Sequence, residues 1–162
     1  MSFTRVAKPG LWNSGDLLSA ADLNSLPGGT IGRDTLTADS TGTTTTETIC
    51  SVAPSVGPTR EITVTWGGNL RSSATTGTGA FAAIFADGVQ LNRRSFKITA
   101  PATDTPFHLS ILHYPTTGAH TYTGVDGVSG GGGATVRNSV NGYTGTRGVS
   151  QLRVVDTGPA FP

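Results

Sequence analysis

Charge is scarce in this 162-residue chain: Asp, Glu, Lys and Arg together make up 13% of it, about half the usual share in a globular protein. Eleven basic residues face 10 acidic ones for a formal charge of +1, and no block of like charge extends beyond Arg93-Arg94. The electrostatic footprint expected of a nucleic-acid or anionic-membrane binder is therefore missing. There is one cysteine, Cys50, so no intrachain disulfide can form and a stapled scaffold is excluded. The thiol is expected to serve as a small buried apolar side chain. Mainly apolar stretches such as Phe81 to Phe85 are far shorter than the ~20 residues of a membrane helix. The N-terminus has no apolar core of a signal peptide, so the chain is expected to be made in the cytoplasm and to stay soluble, with no membrane insertion. Leu, Ala, Glu and Lys are too sparse to fill helices.

What is abundant points the other way. Thr is the commonest residue, and Gly (23) and Pro (9) punctuate the chain densely, as strands and turns require. Residues 1–30 differ from the rest. Ser19-Ala20-Ala21-Asp22 reads as a capping box, Leu23 and Leu26 then share one face, and Pro27-Gly28-Gly29 stops a short helix. With Trp12, Leu17 and Leu18 beside it, this arm carries apolar surface that must be buried, either on its own body or on a neighbouring subunit or larger assembly.

Residues 31–162 read as a β body. Thr43 to Val52 forms a Thr-rich strand, and Arg60 to Leu70 alternates with Ile62, Val64 and Trp66 on one face. Phe81 to Phe85 leads into Asp87-Gly88, a strong hairpin signal, and Val89 to Ile98 returns. Pro101 to Pro106 reads as a loop. Phe107 to Tyr114 is apolar on both faces, which predicts a central strand covered on each side. Ala119 to Val125, Thr135 to Val140 and Gln151 to Asp156 supply the rest, with a glycine loop at Gly130 to Gly133. The sum is about eight short antiparallel strands, best arranged as a two-sheet jelly-roll-like β-sandwich with an extended N-terminal arm carrying one short helix.

Reactive constellations are not apparent. Gly77-Thr78-Gly79-Ala80-Phe81-Ala82 fits the dinucleotide fingerprint in letters but runs into an alternating strand and a hairpin, where the fingerprint needs a helix. His108 and His113 are five residues apart on one strand and so point to opposite faces. His120 falls across a turn from one of them, leaving at most a two-His surface site shared between subunits. Among Glu47, Glu61, Asp87, Asp104 and Asp126 no acid pair is evident, and Asp87, Asp104 and Asp126 read as turn residues. The expectation is a protein that is not an enzyme and has neither cofactor nor metal. Tyr114, Tyr122 and Tyr143, near loops, are candidates for contact with a host-surface glycan; rim packing is the plainer role for Tyr114 and Tyr122.

Two segments resemble a known group. Gly10 to Asn24, with Leu18-Ser19-Ala20-Ala21-Asp22-Leu23-Asn24, is similar to the opening of many tailed-bacteriophage virion proteins, and Leu152-Arg153-Val154-Val155-Asp156-Thr157-Gly158-Pro159 resembles the ending of small minor tail or fibre-type proteins in phages of actinobacteria. Members of that group commonly end in an acidic E-D-[IV]-G-P pattern, whereas Val155 here precedes Asp156 and Thr157 follows it. The resemblance implies a virion structural protein, attached to the particle by Trp12, Leu17, Leu18, Leu23 and Leu26. The sandwich would project outward as a homotrimer whose partners are other tail or capsid proteins. A capsid decoration or capsid fibre protein is the alternative, and a carbohydrate-binding module the third reading.

Overall fold

The computed structural model describes residues 28–73, 78–98, 104–130, 135–139 and 150–160. The arm helix expected at Ser19 to Leu26 and the attachment residues Trp12, Leu17, Leu18, Leu23 and Leu26 lie outside the described residues, as do Tyr143 and most of the glycine loop. All regular structure among the described residues is β. There are eleven strands: β1 (Gly29–Leu36), β2 (Thr46–Val52), β3 (Ser55–Val56), β4 (Arg60–Ser72), β5 (Thr78–Ala86), β6 (Val89–Ile98), β7 (Thr105–His113), β8 (Gly118–Ala119), β9 (Tyr122–Gly130), β10 (Val136–Ser139) and β11 (Ser150–Pro159).

Every pairing is antiparallel. One sheet runs β1-β11-β4-β7, with β10 also on β4; the other runs β2-β9-β5-β6. This interleaving of early and late strands is the jelly-roll order. The count exceeds the expected eight by β1, which precedes the first expected strand, and by the two-residue strands β3 and β8. β10 pairs with Asn69 to Ser72 and β11 with Arg60 to Gly67, so the two occupy one lane beside β4, joined by residues 140–149. The two-residue strands β3 and β8 form a separate small pair.

β4 shows why these residues make strands. Its inward residues Ile62, Val64, Trp66 and Leu70 are wholly buried, alternating with half-buried Glu61, Thr63 and Thr65. The Trp66 indole sets the local thickness of the core. It meets Phe107 edge-on at 4.7 Å, donates from Nε1 to Ser150 Oγ at 3.3 Å, and lies so close to Gly124 that a Cβ there would sit 2.7 Å from the ring. The β5 residues facing inward are mostly small (Ala80, Ala82 and Ala86, with Ile84). The Asp87-Gly88 hairpin forms with φ of 48° and 80°, both positive, the conformation that suits Asp-Gly in a two-residue turn. Cys50 is buried, as expected, and burial pushes its thiol up to about 11.

β7 corrects the expectation of a covered central strand. Among the described residues it pairs with β4 alone and so lies at an edge, with Leu112 and, just past its end, Tyr114 half exposed at 51% and 58%. Pro106 lies within it, opposite Asn69, rather than in a preceding loop. A strand proline belongs at an edge because it cannot donate to a ladder. Side chains close the sandwich at its flanks: Asn92 Nδ2 of β6 donates to the Ser110 carbonyl at 3.0 Å, and the Ser51 amide of β2 donates to Asp34 Oδ2 at 2.8 Å.

Candidate functional site

The register brings several chain segments to one pole of the sandwich. Gly29 opposes Asp156, Pro159 opposes Arg60, His113 opposes Ile62, and Ala86 opposes Tyr122. The point where the body begins, the end of β11, the Asp87-Gly88 turn and the connection from β7 to β9 thus share this pole. Between that turn and that connection lies an open recess of about 310 Å³, whose apolar lining includes Val89, Leu91, Tyr114 and Pro115. Val89, at 65%, and Tyr114 are among the few large apolar side chains left exposed.

The rim is polar and locked. His120 Nδ1 lies 2.7 Å from Asp87 Oδ2, and its Nε2 lies 2.7 Å from the Thr116 carbonyl oxygen. Carboxylate and carbonyl oxygens only accept, so both ring nitrogens must donate and the ring is an imidazolium. In keeping with this, the bond to Asp87, helped by the Thr116 carbonyl, raises the His120 pKa above its ordinary value. Asp87 is held below the usual carboxylate range, first by the Thr121 amide, which donates to its Oδ1 at 2.7 Å, and then by His120. His113 moves the other way, lowered by burial and by the His120 charge, and shares a 3.0 Å hydrogen bond with Tyr122 Oη.

The sign of the pH effect follows. His120 contributes stability that is fully present below its ordinary value of 6.5 and is lost as pH rises through its higher folded value. Asp87 contributes above 3.8, and its share is lost as pH falls through its lower folded value. The clasp between turn and connection is therefore complete between about pH 4 and 6.5. In an NMR titration the His120 ring should titrate above free imidazole and the His113 ring below it; the reverse order would overturn the clasp.

Of the three candidate tyrosines, Tyr114 stands on this recess, its hydroxyl donating to Glu61 Oε2 at 3.0 Å. Tyr122 is a correction. It is wholly buried, its ring between those of His113 and His120, and burial pushes its hydroxyl up to about 12, so it is a core residue and not a surface platform. His108 and His113 occupy opposite faces of β7, as five-residue spacing requires, and no cluster of three His, Cys, Asp or Glu suited to a metal occurs among the described residues. Asp126 is a second correction: it lies inside β9, fully buried, and not in a turn. Asp87 is in a turn, and Asp104 flanks β7, where its oxygens accept from Arg71 at 2.8 and 2.9 Å. Thr78 to Ala82 lie inside β5, which runs directly into the hairpin, so this part of the glycine-rich segment is strand and opens no helix.

With His120 clasped to Asp87 and His113 bonded to Tyr122, what the recess presents is an aromatic and aliphatic contact surface with a charged rim. No helix among the described residues is long and apolar enough to cross a membrane.

No family model matches this chain, and no curated protein matches it. Solved structures resemble it at low identity. The insecticidal delta-endotoxin Cry8Ea1 of Bacillus thuringiensis is 11% identical with a TM-score of 0.42, over 71% of this chain and 19% of the toxin. A chain in the structure of infectious bursal disease virus, Gt strain, is 16% identical with a TM-score of 0.43, over 94% of this chain and 43% of that one. Dimeric latent PorU of Porphyromonas gingivalis is 10% identical with a TM-score of 0.41, over 83% of this chain and 12% of that protein. This chain therefore spans less than half of each of these three. The jelly-roll assignment rests on the strand order itself.

Proposed function

We propose that this protein is a structural component of a bacteriophage particle, of the minor tail or fibre type. It attaches through residues 1–30, with Trp12, Leu17, Leu18, Leu23 and Leu26 as the apolar contacts, and displays a β-sandwich. The observation that carries this reading is the sharing of one pole: the arm joins the body at Gly28 and Gly29, on the pole that bears the exposed Tyr114 recess. β1 and β7 are the first and last strands of the β1-β11-β4-β7 row, so arm and recess are separated by roughly 14 Å, three strand spacings. An apolar arm that joins the body on the same pole as an apolar recess suits one interface with a larger body.

This placement refines the role of Tyr114. On a particle-facing pole its ring contributes to attachment, and host-surface glycan contact falls to Tyr143. Identical copies set around a common axis, as a trimer, would cover Leu112 on the exposed edge strand β7. The resemblance of the two chain ends to actinobacterial phage proteins supports the same reading.

The test is incorporation. Phage carrying Leu17→Ser, Leu18→Ser and Leu23→Ser together should yield particles depleted of this protein at least about tenfold, the factor that a loss of 1.4 kcal/mol produces. Particles with a normal content would remove arm-mediated attachment. Antibody labelling of intact particles in electron micrographs separates the forms: label at the tail supports the fibre type, and label over the head supports a decoration or capsid fibre protein. No label on any particle would reopen the carbohydrate-binding module.

A further inference from the structure

The inner face of the β2-β9-β5-β6 sheet carries two carboxylates that nothing in the attachment reading uses. Glu47 of β2 and Asp126 of β9 are directly opposed partners, so their side chains emerge on the same face. Like charges in that relation repel. Asn138 of β10 reaches Asp126 from the other sheet, its side-chain amide near the carboxylate but short of hydrogen-bond geometry. Asp126 and Asn138 are both wholly buried, yet neither Asp126 oxygen, neither terminal atom of the Asn138 amide, nor Glu47 Oε2 has a hydrogen-bond partner in the protein. The outer oxygen of Glu47 accepts from Thr41 Oγ1 at 3.0 Å at the surface, so the cluster runs from the interior to solvent.

Five buried polar atoms drawn from three strands and two sheets, none of them in a well-formed hydrogen bond, contradict the rule that interior polar groups are satisfied. We infer that Glu47, Asp126 and Asn138 form an internal binding site for a divalent, oxygen-seeking cation of the calcium class. The donor set has the required character: two carboxylates supply two negative charges, and the Asn138 carbonyl adds a neutral oxygen. Calcium suits it better than magnesium, because ligands fixed on separate strands cannot readily adopt a tight octahedron, whereas calcium accepts irregular shells. No sulfur or imidazole takes part, which disfavours zinc.

The experiment uses the full chain, with calcium chloride, a chelator and terbium as probes. In millimolar calcium the unfolding temperature should rise by about 5 °C over the value in chelator. Terbium bound between the sheets should luminesce when tryptophan is excited, because Gly124, two residues before Asp126 on the same inward face, touches the Trp66 ring. Asp126→Asn keeps the shape and should abolish both responses, while its unfolding temperature in chelator should equal or exceed that of the parent because a buried charge is gone. No calcium shift and no terbium signal in the parent protein would overturn the site. So would equal responses in Asp126→Asn, which would locate the ion elsewhere. Glu47→Gln provides a second test, with calcium affinity reduced about tenfold or more.

Discussion

Trp66→Ala should cost about 3–5 kcal/mol, enough to leave much of the protein unfolded near physiological temperature. Trp66 is the largest of the wholly buried side chains, and the opposite sheet is shaped to it. Gly124 leaves space that the indole fills, and Phe107 packs against its edge. Truncation leaves a cavity that backbone on both sides cannot easily close, and Ser150 Oγ loses its donor. Urea unfolding followed by circular dichroism measures the loss. The converse substitution gives an internal control. Gly124→Ala alone should cost about 1–3 kcal/mol, because its Cβ falls 2.7 Å from the ring. Placed on Trp66→Ala it should cost much less, and a double-mutant cycle without such coupling would show that the two residues do not set the core thickness together.

Asp156→Ala should destabilise by about 3 kcal/mol or more. The Arg60 guanidinium binds this carboxylate from Nη2 at 2.7 Å and from Nε at 2.9 Å to each oxygen, with both side chains nearly buried at 9% and 12% exposure. Asp156 also accepts from the Gly158 amide at 3.0 Å, where the backbone turns to a φ of +129°. Its removal takes the ion-pair partner from a buried cation and a cap from an irregular strand end. Replacing both members, as Arg60→Met with Asp156→Leu, should recover much of the loss, since an apolar pair avoids the desolvation cost of both charges. Calorimetry of the single and double variants tests this. If the double variant is as unstable as Asp156→Ala, the carboxylate acts chiefly on the Gly158 turn. Asp156 thus has a structural role in this fold.

The parts of the fold legible in the sequence were those fixed by local rules. The alternation of β4 and the Asp87-Gly88 turn depend on neighbours in the chain, and both occur as read. What depends on distant pairing was not legible. The apolar letters of Phe107 to Tyr114 suggest a central strand, but position in a sheet is decided by which strands arrive alongside; Pro106, inside the strand, was the available signal for an edge. Tyr122 stands one residue past a loop, yet the pairing of β9 turns its ring inward. The Glu47–Asp126 pair was hidden by a register shift between Thr48 and Cys50, which puts Glu47 and Cys50 on the same face although they are an odd number apart. Of the candidate site, Tyr114 was found from its type and place near a turn. Its companions Val89 and Leu91 come from a different strand and join it only through the sandwich.

The pairing of β1 with β11, Gly29 opposite Asp156, has a consequence for how the protein is made. A ribosome releases residues in order, and β11 is the strand on which both β1 and β4 wait. Nearly the whole body must leave the exit tunnel before this sheet can assemble, and contacts so distant in sequence form slowly. Chains cut short anywhere before residue 150 would lack the β1-β11-β4 core of that sheet. Translation to the last strand therefore acts as a checkpoint, and a chain that stops short of it should fail to close this sheet.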